Sequence, residues 1–281
     1  MYRSQKDTDK CERQLIKDLR KAANHFGISN VDPSNPVIKR QCSVEVEENQ
    51  KGLLRLRQAG DYSEKLNKTL KFIHIPKCGG TTIEDIGNSV GAKWGRFDDS
   101  QAILQEDNHC APWHRLPTGK RDESIRTFCV VRNPVERMVS EVRWELVEPY
   151  VEKTELLESV CDDPLKINDY VKFALDRVKN MNSYMDCHWV AQVRYVEQCD
   201  HVLRLERLQE DFQNLMKEYG LDIELGDQHH MNDQNELEDE QCRNISIENL
   251  TDEVETLLGE SYHDDLLLWR NIMKSNISFD L

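Results

Sequence analysis

From Lys71 onward the chain alternates short β-branched or aromatic runs with segments of helical periodicity, and this alternation constrains the fold more than any other feature. FIHI (72–75) leads through a turn into a helix from Thr82, TFCVV (127–131) into a helix reaching Trp144, and HVLRLE (201–206) into a helix reaching Tyr219, stopped by Gly220. Strands that each hand on to a helix make βα units, and βα units build an α/β domain around a largely parallel sheet flanked by helices. Residues 167–178 carry Ile167, Tyr170, Val171, Ala174 and Val178 on one face and read as a covering helix. Residues 1–66 read as a polar leader, with Leu15, Ile16, Leu19, Ala22, Ala23 and Phe26 at helical spacing. The leader is expected to pack on or flank a main domain of residues 67–281.

Composition excludes several classes. With 281 residues, 38% of them hydrophobic, the chain can bury one proper core. A net charge of −15 argues against a nucleic-acid binder, which needs a basic surface to neutralise phosphates. No run approaches the roughly 18 apolar residues that span a bilayer, and the start, MYRSQKDTDKCERQ, is too polar for a signal peptide. The chain as it stands is expected to be soluble. Nine cysteines without a C-x-x-C pair argue against zinc and for free thiols in a reducing compartment, with Cys187 and Cys199 the one pair retained as a candidate disulfide.

The turn PKCGGTT (76–82) sits between the first strand and its helix. Such a turn aims backbone N–H groups and the positive end of a helix dipole at one small volume, which suits an anion. Gly79 and Gly80 permit close approach or positive φ, Lys77 adds a cation, and Thr81 and Thr82 add hydroxyl donors. The nucleotide P-loop order G-x-x-x-x-G-K-[ST] is not met, because the lysine precedes the glycines. The plainer alternative is a T-x-x-E capping box formed by Thr81 and Glu84.

The second strand ends at Arg132, and Asn133, Pro134 and Glu136 supply an N-cap, a first helical proline and a capping acid. Arg132 thus stands where open α/β sheets bind ligands, with Ser140 on the same face of the following helix. The alternative is an arginine that merely pairs with a neighbouring acid.

PKCGGTT and VVRNPVERMVS together resemble the two cofactor motifs of sulfotransferases that use 3′-phosphoadenosine 5′-phosphosulfate (PAPS). HWVAQVRYVEQCDHVLRLERLQEDF and ENLTDEVETLLGESYHDDLLLW are similar to the H-W-x-x-Q segment and C-terminal helices of the Golgi-type carbohydrate O-sulfotransferases. The resemblance spans about residues 70–270 and implies a P-loop-like parallel sheet. It implies PAPS as co-substrate, held by Lys77, Cys78, Gly79, Gly80, Thr81 and Thr82 at the 5′-phosphosulfate and by Arg132 and Ser140 at the 3′-phosphate. No metal is required by this pattern.

The implied activity is sulfuryl transfer to a hydroxyl, in particular of a carbohydrate; the alternative is a non-catalytic nucleotide- or glycan-binding protein of the same fold. A small-molecule kinase is disfavoured by the lysine-before-glycine order. Two departures stand out: Cys78 replaces a common threonine, and Ala191 a frequent proline. Golgi members begin with a membrane anchor, so a chain without one is expected either to be trimmed or to work in another compartment. The N-x-[ST] triplets at Asn67, Asn244, Asn249 and Asn276 do not decide between these.

Sulfuryl transfer needs a cation on the leaving oxygen, a role that fits Lys77, and a general base for the acceptor hydroxyl. The base candidates are His114 and His109, in the Pro- and Trp-bounded loop DNHCAPWHRLP between the cofactor motifs, with His114 preferred. His188 and Gln192 are expected to shape the acceptor pocket, and His74 to be buried packing within its strand. Asn232 is a faint contact candidate, His229 and His230 read as part of a solvated loop, and Lys93, Arg96, Arg115, Lys120 and Arg121 could form an acceptor-side basic patch.

Overall fold

Lys68–Phe72 (β2) buries Leu70 and Phe72 on one face and Thr69 on the other, with Lys68 and Lys71 half-buried on opposite faces, so the strand is largely covered on both sides. The computed structural model describes residues 60–98, 110–117, 122–148, 151–181, 183–226, 242, 245–274 and 279–280. The first predicted strand therefore lies four residues earlier than FIHI. Its ladder ends at Phe72, with one further bond from the Ile73 N–H to the Phe128 carbonyl (2.8 Å).

β2 pairs in parallel with Ile125–Val131 (β3), Phe72 opposite Phe128, and β3 pairs in parallel with His201–Arg204 (β4), Val131 opposite Arg204. Two-residue strands, Tyr62–Ser63 (β1) and Phe279–Asp280 (β5), add antiparallel edges to a sheet of order β1-β2-β3-β4-β5. The compact unit begins at Gly60, so residues 60–66, grouped with the leader by composition, belong with the sheet.

The helices are Gly80–Ser89 (α1), Pro134–Val147 (α2), Glu155–Asp162 (α3), Ile167–Asn180 (α4), Val193–Val196 (α5), Leu208–Tyr219 (α6), Asp252–Ser261 (α7) and His263–Lys274 (α8). Local chemistry explains their bounds. The Asn133 side chain accepts the Val135 N–H with Pro134 at the first position, Thr154 and Thr251 cap α3 and α7, and Gly220 ends α6 at φ 64°. Two apolar clusters result. One packs the sheet against α1 and α6 through Phe72, Phe128, Ile83, Trp94 and Phe212; the other joins α2, α3, α4 and α7 through Met138, Val142, Val160, Tyr170 and Leu258.

Candidate active site

The turn after β2 holds its shape through two left-handed residues, Lys77 (φ 65°) and Gly79 (φ 78°), the latter being the N-cap of α1. Gly80 is constrained differently: a Cβ there would lie 2.4 Å from the His74 Nε2, so the imidazole packs directly on the glycine backbone. No side chain caps α1. The capping box that stood as the plainer alternative for Thr81 and Glu84 does not form, since the N-cap is Gly79. Glu84 is buried and instead faces His74 Nδ1 at 2.6 Å and accepts the Arg96 N–H at 3.1 Å. The N–H groups of Gly80 and Thr81, at the start of α1, lack intrahelical acceptors by helix geometry, an arrangement that suits an anion. His74 is buried, as expected, but as a polar member of this site, beyond the strand ladder.

Gln192 links this turn to the second motif. Its Oε1 accepts the Arg132 N–H and its Nε2 donates to the Arg132 carbonyl, both at 2.9 Å, while the Cys78 thiol donates to the same Oε1 at 3.3 Å. Cys78 faces inward, and burial pushes its thiol up to about 12, so it stays an S–H donor. A hydroxyl lost at position 78 is thus lost from the interior contact with Gln192. Gln192 is wholly buried, a clamp between motifs where a pocket-shaping residue was expected.

The Arg132 guanidinium lies beside the Lys77 carbonyl (3.5 Å) and Glu136 (3.6 Å), and its Nε has no hydrogen-bond partner among the described residues. Ser140 is half-buried further along α2.

Behind the turn, one face of α2 buries Arg137, Glu141 and Glu145, a column at i, i+4 and i+8. Arg137 donates to the carbonyls of Pro76 (3.0 Å), Val190 (2.8 Å) and His188, and lies 3.9 Å from the buried Asp265. Asp265 in turn accepts the N–H groups of Gln192 (2.8 Å) and Val193 (2.9 Å). These residues were missed in the sequence, where a charged i, i+4 stripe reads as a solvated face.

Near the turn, the imidazole of His114 meets those of His74 and His188 edge to face. His114 ends a short 3₁₀ turn, Pro112–His114, and its Nδ1 lies 2.6 Å from Asp186 Oδ2 and 3.3 Å from His188 Nε2. Its ring meets His74 at 4.9 Å and His188 at 4.5 Å. His188 Nδ1 faces Glu141 at 2.8 Å, Trp144 stacks on His188 at 4.3 Å, and Lys77 Nζ sits 5.4 Å from the centre of the Trp144 ring. Lysine and preferred histidine are thereby gathered into one cluster. Burial holds both His114 and His188 below the usual imidazole range, His188 far below it, and pulls Lys77 down to about 8 against the raising effect of Glu141. Burial also raises the carboxyls of Glu141 and Glu145.

Asp186 belongs to three consecutive left-handed residues, Met185 (φ 46°), Asp186 (φ 55°) and Cys187 (φ 66°). Each such residue costs about 1–2 kcal/mol, so surrounding contacts must hold the turn. Disulfides join Cys110 to Cys187, Cys129 to Cys199 and Cys161 to Cys242; Cys78 is free. This corrects both the free-thiol reading and the Cys187–Cys199 pairing. The partners lie 70 to 81 residues apart in the chain and are matched only when β3, β4 and the loops pack.

His114, Asp186 and His188 offer ligand atoms within 4.8 Å of one another, a set a divalent cation could use. The 2.6 Å between Nδ1 and Oδ2 is, however, a hydrogen-bond distance. It is shorter than the ~3.3 Å ligand separation that a tetrahedral zinc with bonds of about 2.0 Å requires.

Of the basic residues considered, Arg96 pairs with Glu84 and Asp85, and Arg115 Nε donates to the Cys110 carbonyl at 2.9 Å. His109, Lys120, Arg121, His229, His230 and Asn232 lie outside the described residues.

Fold and site together define a mixed α/β protein with a lysine–glycine turn at the carboxyl ends of its parallel strands, an arrangement suited to group transfer. The family model described as "Sulfotransferase family" matches residues 65–270. The chain belongs to the sulfotransferase family, whose chemistry is sulfuryl transfer. No curated protein and no solved structure matches it. Among the described residues no helix is long and apolar enough to cross a membrane.

Proposed function

We propose that this protein transfers a sulfuryl group from PAPS to a hydroxyl of a carbohydrate. The observation that carries the reading is the Gln192 clamp, which binds the Lys77–Thr82 turn to the Arg132 strand end. The N–H groups of the first turn of α1, with the Thr81 and Thr82 hydroxyls, hold the 5′-phosphosulfate; Arg132, whose Nε faces the Glu136 carboxylate at 3.6 Å without a hydrogen bond, and Ser140 hold the 3′-phosphate. When bound, the donor supplies an activated sulfuryl group whose bridging oxygen gains charge as it leaves.

Lys77 stabilises that charge, acting in a partly water-excluded site where a fixed cation is worth more than in bulk water. His114 takes the proton of the acceptor hydroxyl on Nε2, and the half-buried Trp113 beside it offers an apolar face to a sugar ring. The three disulfides among the described residues favour an oxidising compartment, such as the lumen of the secretory route, where glycan acceptors are met.

The test has two stages. A thermal shift comparing 3′-phosphoadenosine 5′-phosphate with AMP and ATP should favour the bisphosphate by mass action on the folded state. Transfer of radiolabelled sulfate from PAPS to desulfated glycosaminoglycans should follow. Equal stabilisation by AMP removes the Arg132–Ser140 assignment; bisphosphate binding without transfer to any glycan supports the non-catalytic alternative.

A further inference from the structure

We propose that Asp186 is the positioning residue of the acceptor base, fixing His114 with Nδ1 protonated and Nε2 open, and that the Cys110–Cys187 disulfide holds Asp186 in place. The proposal rests on the reading of His114 as the base and adds to it the residue that prepares it.

The two oxygens of Asp186 have separate tasks. Oδ1 accepts the Ala111 N–H, and Oδ2 faces His114 Nδ1 at 2.6 Å. An ionised carboxylate only accepts hydrogen bonds, so Nδ1 must carry the proton, and a neutral imidazole then keeps its lone pair on Nε2. Both partners tend toward this state: despite burial, the contacts with His114 and Ala111 hold Asp186 below the ordinary carboxylate range, and burial keeps His114 neutral. The other titratable groups near His114 are His74 with its Glu84 on one side and His188 with its Glu141 on the other.

Asp186 reaches His114 from the middle of the left-handed run Met185–Cys187, a backbone that aspartate tolerates but that methionine and cysteine disfavour. The covalent bond from Cys187 to Cys110 closes the turn onto the histidine loop. In that loop the His114 N–H bonds the Ala111 carbonyl at 2.9 Å, and the Tyr195 hydroxyl donates to the His114 carbonyl at 2.7 Å. Neither Asp186 nor this disulfide has a hydrogen bond to the Lys77–Thr82 turn or to Arg132 among the described residues. The device is therefore expected to act on the acceptor side alone.

The test uses the full chain with ¹⁵N-labelled histidine. Wild-type protein should give an NMR signature for His114 with Nδ1 protonated and Nε2 unprotonated. Asp186→Asn should lose that single tautomer, lower kcat by about 10²-fold, and move the acidic limb of kcat/KM to lower pH, because the carboxylate raises the His114 pKa. Affinity for 3′-phosphoadenosine 5′-phosphate should not change. Asp186→Glu should recover part of the rate, and the Cys110→Ser/Cys187→Ser double variant should reproduce the tautomer loss.

A wild-type His114 protonated on Nε2 overturns the proposal even if the variants fail to fold. So does an Asp186→Asn enzyme with full turnover and an unmoved limb while His114→Ala is inactive; in that case the base reading survives. An active His114→Ala enzyme removes the base reading, and this proposal with it.

Discussion

The side-chain amide of Gln192 bonds both the N–H and the carbonyl of Arg132, at 2.9 Å each way, and so satisfies the backbone of the residue that follows β3 as a neighbouring strand would. The same oxygen accepts the Cys78 thiol, so one buried side chain sets the spacing of the Lys77–Thr82 turn and the Arg132 strand end.

Gln192→Leu should therefore be costly in two ways. It orphans a backbone donor and acceptor, each worth about 1–3 kcal/mol when buried and unpaired, and it releases the turn from the strand end. The urea midpoint should fall at unchanged m-value, and affinity for 3′-phosphoadenosine 5′-phosphate should drop with it. A variant with wild-type midpoint and affinity would show the clamp to be idle.

Gly80→Ala should destabilise more than Gly79→Ala. At Gly80 the new Cβ meets the His74 ring, itself held by Glu84, at 2.4 Å. Overpacking of this kind costs about 1–3 kcal/mol. At Gly79 the nearest atom, 2.9 Å away, is the flexible end of Leu205, leaving mainly the penalty of a positive φ, about 1 kcal/mol. Calorimetry on the two variants checks the order.

The rate should be bell-shaped in pH. With His114 as the proposed neutral base, kcat/KM should hold below the ordinary imidazole value of about 6.5 and fall as pH drops through its depressed pKa. With Lys77 as the proposed catalytic cation, kcat/KM should fall again as pH rises through about 8. Lys77→Arg, charged across this range, should keep measurable activity and lose the alkaline limb. Lys77→Ala should lower turnover about a hundredfold or more while weakening donor binding less. An alkaline limb that persists in Lys77→Arg assigns it to another group.

Peptide mapping without reductant should recover Cys110 with Cys187, Cys129 with Cys199 and Cys161 with Cys242, and no Cys187–Cys199 peptide. Reduction should lower the melting temperature markedly, since loss of a native disulfide typically costs about 2–5 kcal/mol in small secreted domains. A chain whose melting is indifferent to reductant would argue against the oxidising compartment.

What could be read along the chain was whatever depends on near neighbours. The βα alternation, the Asn133–Pro134 helix start, the Gly220 stop and the lysine–glycine turn arise from propensity, capping and backbone freedom within a few residues. Arg132, Lys77 and His114 could be singled out because each belongs to such a local pattern. Only the tertiary structure decided the partners. Asp186 meets a histidine 72 positions before it, Asp265 braces a backbone 73 positions before it, and each disulfide among the described residues spans at least 70. Arg137, Glu141 and Glu145 illustrate the physical reason. A charged stripe on a helix belongs in water unless packing supplies a partner for every charge, and those partners, the carbonyls of Pro76 and Val190, the ring of His188 and the indole of Trp189, converge only once the chain has folded.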